Sequence, residues 1–404
     1  SYDGAVPAEK ALSRSLNIPS VFMLKEYGIE RFHSLLRELG LETIDRPAGH
    51  YGLSLILGGA EITLWDLAGM YAGFSRTLNH FLLRSGKYHP GDLRELNFYD
   101  DIVYSLDESW NSNSILSAAA IWQAYEAMVH VNRPGSLSNW QSFSSMGKVA
   151  WKTGTSFGFR DAWAVGTTPE YVVAVWVGNA DGEGRPGLTG SSAAAPVMFD
   201  VFSLLPPSGW FEMPYEELEY IPVCRQSGHR AGIHCTDTIH KWVCKKGLQT
   251  TPCPYHRLVN LDKTGRHRIS SECVDIEDIS PQEWFVLPPM QEWYYAQKNP
   301  GYRALPPYLE GCRPDNERVM DFIFPNQNSR IFVPTELDGS KGKTVFKLAH
   351  RNPGSTVFWH LDDEYLTSTS GVHQVGLAPL GGEHVITVID EDGNTVSRSF
   401  RVVN

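Results

Sequence analysis

Between Ala150 and Trp163 the sequence reads AWKTGTSFGFRDAW. Lys152, Thr153, Gly154 and Thr155 set a positive charge, two hydroxyls and a residue without a side chain on four consecutive positions. Val149, Trp151 and Thr153 alternate with Ala150, Lys152 and Gly154, the period-two pattern of a half-buried strand. Glycine inside a strand weakens it and packs nothing, so it marks a bulge or a place where another backbone comes close. Together these residues describe one wall of a pocket for an extended ligand that ends in an anion. Far upstream, LSRSLNIPS offers Ser15 and Asn17 at what reads as a helix end.

Elements of both kinds must carry these residues. AEKALSRSL reads as a helix stopped by Asn17 and Pro19, and IERFHSLLREL as a second. ITLWDLAGMYAGFSR and NSILSAAAIWQAYEAMVHV carry apolar residues at helical spacing. KVAWKTGT, DAWAVGTT and EYVVAVWVGNA then follow as strand-like runs with short loops, an expected antiparallel meander. APVMFDVFSLL is expected to close that sheet as a helix. Helices followed by consecutive strands predict an α+β fold with a mainly antiparallel sheet. Trp163 is expected in its core, and Asp161 in tying the turn after KTGT.

From LPPSGWF at Leu205 to Cys312 the periodicity fades and Pro, Trp, Tyr and Cys increase. From Arg313 onward SRIFVP, KTVFKLAHR, STVFWHLDDEYL, GVHQVGLA, EHVITVID and TVSRSFRVV predict a small Ig-like β-sandwich. The expected domains are therefore residues 1–204, 205–312 and 313–404. The acidic turn holding Asp390, Glu391 and Asp392 reads as a solvated hairpin turn in preference to a Ca²⁺ loop.

A chain of 404 residues with a net charge of −11 and no basic stripe argues against a nucleic-acid partner. No apolar run reaches the length of a membrane span, since Gln123, Glu126 and His130 break the best candidate, Ala118 to Val131. The chain opens on a loop, SYDGAVPAEKAL, without an initiator Met, and is expected to be part of something longer.

All six cysteines, Cys224, Cys235, Cys244, Cys253, Cys273 and Cys312, fall within one loop-rich segment. An even, clustered set points to three disulfides and an oxidising compartment, with Cys224–Cys235 and Cys244–Cys253 as the short-loop pairings. Zinc is the alternative, because His229, His234, His240 and His256 are interspersed, and free thiols are the third. No CxxC pair exists and the spacings match no common zinc pattern, so no metal ligand is assigned and no cofactor is expected.

Taken together, SLN at Ser15–Asn17 and KTGT at Lys152–Thr155 have the order and contexts of two of the three motifs of serine β-lactamases and penicillin-binding proteins. ALSRSLNIPSV, YGLSLILGGAEITLWDLAGMYAGFSR and AWKTGTSFGFRDAWAVG resemble the transpeptidase domain of class A penicillin-binding proteins. The Cys-rich connector, with CPYHR and WFVLPP, and FWHLDDEYL in the β-domain resemble the 1C branch of that family in Gram-negative bacteria. The resemblance covers essentially the whole chain. It implies a partial transpeptidase fold, an antiparallel sheet flanked by helices. It also implies peptidoglycan D,D-transpeptidation on stem peptides ending in D-Ala-D-Ala, and acylation by β-lactams. The location implied is the periplasmic side of the inner membrane, with an anchor and a glycosyltransferase domain preceding the transpeptidase.

Each matched position then has a task. Thr153 and Thr155 would hold the terminal carboxylate, Lys152 would add charge, and Gly154 would leave the strand edge bare for a peptide added as a strand. The Thr155 N–H would form half of an oxyanion hole. Ser15 would relay a proton under the influence of Lys152, and Asn17 would hold the substrate amide. The nucleophile, a Ser with a Lys three residues later at a helix start, is expected upstream of Ser15 and outside this chain. Ser145-Met146-Gly147-Lys148 has the spelling but contains Gly, precedes a strand and follows S-x-N, so it is set aside. A β-lactamase is disfavoured by the additional domains and by the lack of an evident deacylating Glu. The remaining alternative is a non-catalytic periplasmic module whose connector and sandwich dock a protein partner or glycan. His350, His360, His373 and His384 in the last domain have no paired nucleophile.

Overall fold

The computed structural model describes residues 5–97, 110–132, 147–314, 317–333 and 342–403. Contacts gather into two compact units, an amino-terminal one of Val6–Ile221 with His240–Thr250, and a carboxyl-terminal one of Pro222–Ile239 with the described residues from Thr251 onward. The division differs from the expected boundaries at 205 and 313, because the Cys-rich segment is shared between both units.

The amino-terminal unit begins with α1 (Ala8–Ser13), α2 (Asn17–Tyr27), α3 (Ile29–Glu38) and the single turn α4 (Ala48–Tyr51). Asn17 and Pro19 do not end the helical region as expected; they open α2. Pro19 falls in the first turn, where its missing N–H would have had no intrahelical partner. Next come α5 (Leu64–Leu83) and α6 (Ala118–Val129). The first is capped by Thr63, whose hydroxyl accepts from the Asp66 N–H at 3.0 Å. It continues past Arg76 because Leu78 and Phe81 keep the apolar spacing and are buried. The second is capped by Ser117, and the Glu217 carboxylate accepts from the Ala119 N–H at 3.0 Å.

β1 (Ala150–Thr155), β2 (Asp161–Thr167) and β3 (Val172–Gly178) form the antiparallel meander in the order β1-β2-β3. One cluster joins Trp151, Ala162 and Ala164 to Met198 and Phe199 of α7 (Ala195–Leu204). Another joins Ala150 to Leu78 and Phe81 of α5 and to Ile121, Tyr125 and Met128 of α6. Between α5 and β2, the Ser75 and Thr167 hydroxyls share a buried hydrogen bond of 2.7 Å. Trp163 is only half-buried, because the small residues Ala162 and Ala164 occupy the core positions of β2. Asp161 ties the turn as expected: its N–H donates to the Ser156 hydroxyl at 2.8 Å, and its carboxylate accepts from the Trp176 indole at 2.9 Å.

β4 (Leu218–Cys224) and β5 (Thr238–Cys244) form a two-stranded ribbon divided between the units. In the carboxyl-terminal unit, β6 (His256–Leu261) and β7 (Ser280–Phe285) pair antiparallel around Val259, Leu261, Trp284 and Val286, followed by α8 (Pro289–Lys298). Cys273 and Cys312 form a disulfide. Cys224, Cys235, Cys244 and Cys253 are thiols, so neither expected short-loop pairing is present. Cys244 donates to the Gln123 side-chain carbonyl at 3.1 Å, whereas the other three converge on His256.

The last residues form a β-sandwich. One sheet holds β8 (Met320–Phe324), β10 (Thr344–His350) and β13 (Gln374–Leu377). The other holds β9 (Ser329–Phe332), β11 (Val357–Leu361), β12 (Glu364–Thr369), β14 (Gly382–Asp390) and β15 (Thr395–Val403). Phe322, Phe346 and Leu348 from the first sheet meet Trp359, Ile386, Val388 and Phe400 from the second. The β14–β15 turn is organised by Asp390, whose buried carboxylate accepts from the Asp392 N–H at 3.0 Å and the Asn394 N–H at 2.8 Å. His350 adds a contact at 3.2 Å. Burial works to raise the Asp390 pKa, but hydrogen bonds from Asn394 and His350 hold it below the usual carboxylate value.

Candidate active site

The strand β1 is fixed at its first half and free at its second. Trp151 is 1% exposed, donates its indole N–H to the Val131 carbonyl at 3.2 Å, and meets the Phe199 ring edge-on at 5.0 Å. Toward Thr155 the strand emerges: Lys152 and Thr153 are half-buried, Gly154 and Thr155 exposed. In register, Lys152 lies opposite Val165 and Gly154 opposite Trp163.

Ser15 reaches this strand through the way α1 ends. The Leu16 N–H bonds back to the Ala11 carbonyl at 2.9 Å and the Ser15 N–H to the Leu12 carbonyl at 3.1 Å. These two bonds are those of a Schellman motif, which requires a left-handed residue just past the helix. Ser15 fills that position with φ of +52°, where glycine is the usual occupant. The chain reverses there and presents the hydroxyl to Lys152.

The Lys152 ammonium donates to the Ser15 hydroxyl and, at 2.9 Å, to the Thr153 carbonyl. Burial pushes the Lys152 pKa below the ordinary lysine value. Asn17, the first residue of α2, is exposed, and its side chain makes no hydrogen bond to any described residue. The structure thus brings Ser15, Lys152, Thr153, Gly154 and Thr155 to one region. Ser145 and Met146 lie outside the described residues.

The sequence did not point to Gly190, which opens a π-helical turn (Gly190–Ala194) leading into α7. Its N–H donates to the Thr155 hydroxyl oxygen at 3.0 Å, leaving the Thr155 O–H free to be given to a ligand. A Cβ at Gly190 would stand 2.4 Å from the Trp163 carbonyl oxygen and 2.5 Å from that of Gly154. Gly190 is therefore a point of close backbone approach that fixes β1 from the side, with no local sequence signal beyond being a glycine near a strand. Gly154 is different. A Cβ there would meet only the Trp163 side chain, at 3.5 Å, an ordinary contact. The fold does not itself demand a glycine at position 154.

Among the described residues no helix is long and apolar enough to cross a membrane. Among the described residues, donors of the metal-binding type converge in two places, at Cys224, Cys235, Cys253 and His256, and at His80, His89 and Asp92. The second group joins His80 Nδ1 to Asp92 Oδ1 at 2.5 Å. Neither includes a residue of the Lys152 region.

Comparison with known proteins finds similarity to penicillin-binding proteins. Residues 309–402 match the Penicillin-Binding Protein C-terminus Family. The chain is 27% identical to Penicillin-binding protein 1C of Escherichia coli over 99% of its own length and 50% of that protein. It is 30% identical to Penicillin-binding protein 1B of Vibrio cholerae over 48% of this chain and 23% of that one. The crystal structure of Penicillin-Binding Protein 1A from Haemophilus influenzae aligns at 17% identity with a TM-score of 0.45, covering 63% of this chain and 42% of that one. The chain spans about half the length or less of the curated relatives it matches. The chain is thus similar to penicillin-binding proteins along almost its whole length, and its last residues match their C-terminal family.

Proposed function

We propose that this chain contributes the KTG and S-x-N walls of a peptidoglycan D,D-transpeptidase site. The reacting serine belongs to a Ser-x-x-Lys segment outside these 404 residues. The observation that carries the reading is the hydrogen bond from Lys152 to Ser15, which joins the two motif pieces across 137 residues of sequence. A stem peptide ending in D-Ala-D-Ala lies along β1 as an added strand, its terminal carboxylate held by Thr153, Thr155 and the Lys152 charge. The Thr155 N–H faces the carbonyl oxygen as negative charge develops on it. The serine gives its proton to the lysine of its own Ser-x-x-Lys and attacks that carbonyl; the peptide C–N bond breaks as Ser15 passes a proton to the departing D-Ala amine and regains one through Lys152. An amine of a second stem peptide then attacks the acyl-serine, forming the cross-link and returning the serine. Asn17 holds the substrate amide. β-Lactams enter the same site, and the location is periplasmic.

The test is labelling with fluorescent penicillin of this chain alone and of the chain extended upstream through the nearest Ser-x-x-Lys. Labelling of the extended protein only, lost in Lys152→Ala, is expected. An extended, folded protein that takes no label and cross-links no peptide overturns the reading.

A further inference from the structure

We infer that Cys224, Cys235, Cys253 and His256 form a structural zinc site in the carboxyl-terminal unit. Their ligand atoms all lie within 4.8 Å of one another. His256 Nδ1 stands 3.5 Å from the sulfur of Cys224, 3.5 Å from that of Cys235 and 3.5 Å from that of Cys253. That equality is the informative point. Zn–S bonds of about 2.3 Å and a Zn–N bond of about 2.0–2.1 Å in a tetrahedron leave each sulfur about 3.5 Å from the nitrogen. A disulfide accounts for two of three sulfurs and gives no reason for an imidazole nitrogen equidistant from all of them.

The surroundings suit thiolates. The Cys224 sulfur accepts from the Ser227 N–H at 3.4 Å, that of Cys235 from the Gly232 N–H at 3.3 Å, and that of Cys253 from the Ser227 hydroxyl at 3.2 Å. Gly228, at φ +73°, turns the chain just beyond Cys224. Cys224, Cys253 and His256 are buried. The His256 ring is braced against Phe285, with centroids 5.0 Å apart. Three sulfurs and one nitrogen select zinc over the harder divalent cations. Four protein ligands leave no open coordination position, so the site is structural, not catalytic. On binding, three thiols release three protons, His256 binds as neutral imidazole, and the completed centre carries one net negative charge. The metal ties the end of β4, the loop before β5 and the start of β6. The sequence had set zinc aside for want of a CxxC pair, but Cys253-Pro254-Tyr255-His256 is a CxxH, and the fold supplies the other two ligands.

The 404-residue chain purified without chelator should hold one zinc per chain by elemental analysis. Cys253→Ser and His256→Ala should lose it, while Cys244→Ser, which alters the thiol paired with Gln123, should keep it. If a ligand variant does not fold, the unsubstituted protein still decides the matter. Stripped of zinc and reduced, it should take up one equivalent of Co²⁺ with the visible bands of tetrahedral cobalt and a near-ultraviolet thiolate band. Metal-free protein that binds neither ion, or peptide mapping that finds a disulfide between any two of Cys224, Cys235 and Cys253, overturns the inference.

Discussion

The ammonium of Lys152 on β1 donates a hydrogen bond to the hydroxyl of Ser15, which sits in a left-handed conformation where α1 ends. A left-handed non-glycine residue costs about 1–2 kcal/mol. Such a cost persists where the surrounding structure over-determines it, often at functional sites. Glycine at this position would satisfy the helix terminus better and the lysine worse.

Two substitutions separate these effects. Ser15→Gly should keep or raise stability, by up to about 1 kcal/mol, since it removes the left-handed cost and loses a half-exposed hydrogen bond. Ser15→Ala keeps the backbone cost and should be the less stable of the two. Both should slow penicillin acylation of the extended protein to a similar degree, because both lack the hydroxyl. Denaturant midpoints and labelling rates read the two effects separately.

Lys152 makes stability depend on pH in a defined direction. Burial depresses its pKa in the folded chain below the ordinary lysine value. The folded state therefore binds fewer protons than the unfolded state between the two values, and stability rises with pH across that interval. The penalty for burying the charge is complete below the folded pKa and gone above the unfolded one. Comparing wild type with Lys152→Met in urea at about pH 7 and about pH 10, the difference should move in favour of wild type at the higher pH. A constant difference, or movement the other way, would contradict the assignment.

Gly190 and Gly154 should behave oppositely. Gly190→Ala forces a methyl group against two carbonyl oxygens, at 2.4 and 2.5 Å, and neither backbone can swing away as a flexible side chain would. A loss of about 1–3 kcal/mol is expected, read as a lowered Tm. Gly154→Ala meets only an ordinary contact and should leave stability unchanged or raise it by about 0.5–1 kcal/mol, the usual gain over a strand glycine. Acylation of the extended protein should nevertheless fall, since the methyl group stands on the edge that the peptide must approach.

Much of this arrangement was legible in the sequence, and the parts that were not share a cause. The β1–β2–β3 meander could be read because alternation at Trp151, Thr153 and Ala164 is local, and KTGT is contiguous. Pro19 misled because proline punctuates most helices but is harmless in a first turn. Trp163 misled because size suggests burial, whereas two alanines on either side of it fill the packed positions. Ser15 was singled out by motif order, yet its left-handed geometry follows from α1 ending at Ser13, three residues earlier than expected. The sulfur cluster was least visible, since its ligands come from three separate elements and only Cys253 and His256 keep a local spacing. Close approach, as at Gly190, leaves no periodic trace at all.

Cys273 and Cys312 are joined by oxidation, while the four other cysteines of the same segment are thiols, three of them in the sulfur cluster. The same oxidant that makes the first bond can destroy the second arrangement by joining Cys224 to Cys235 in a short loop. Maturation is then a race between oxidant and metal. The native product forms when the three thiolates are occupied before they are oxidised, so the order of encounter decides the yield of correctly assembled chains. Under the proposed periplasmic location, metal supply becomes a kinetic requirement for this chain as well as a thermodynamic one.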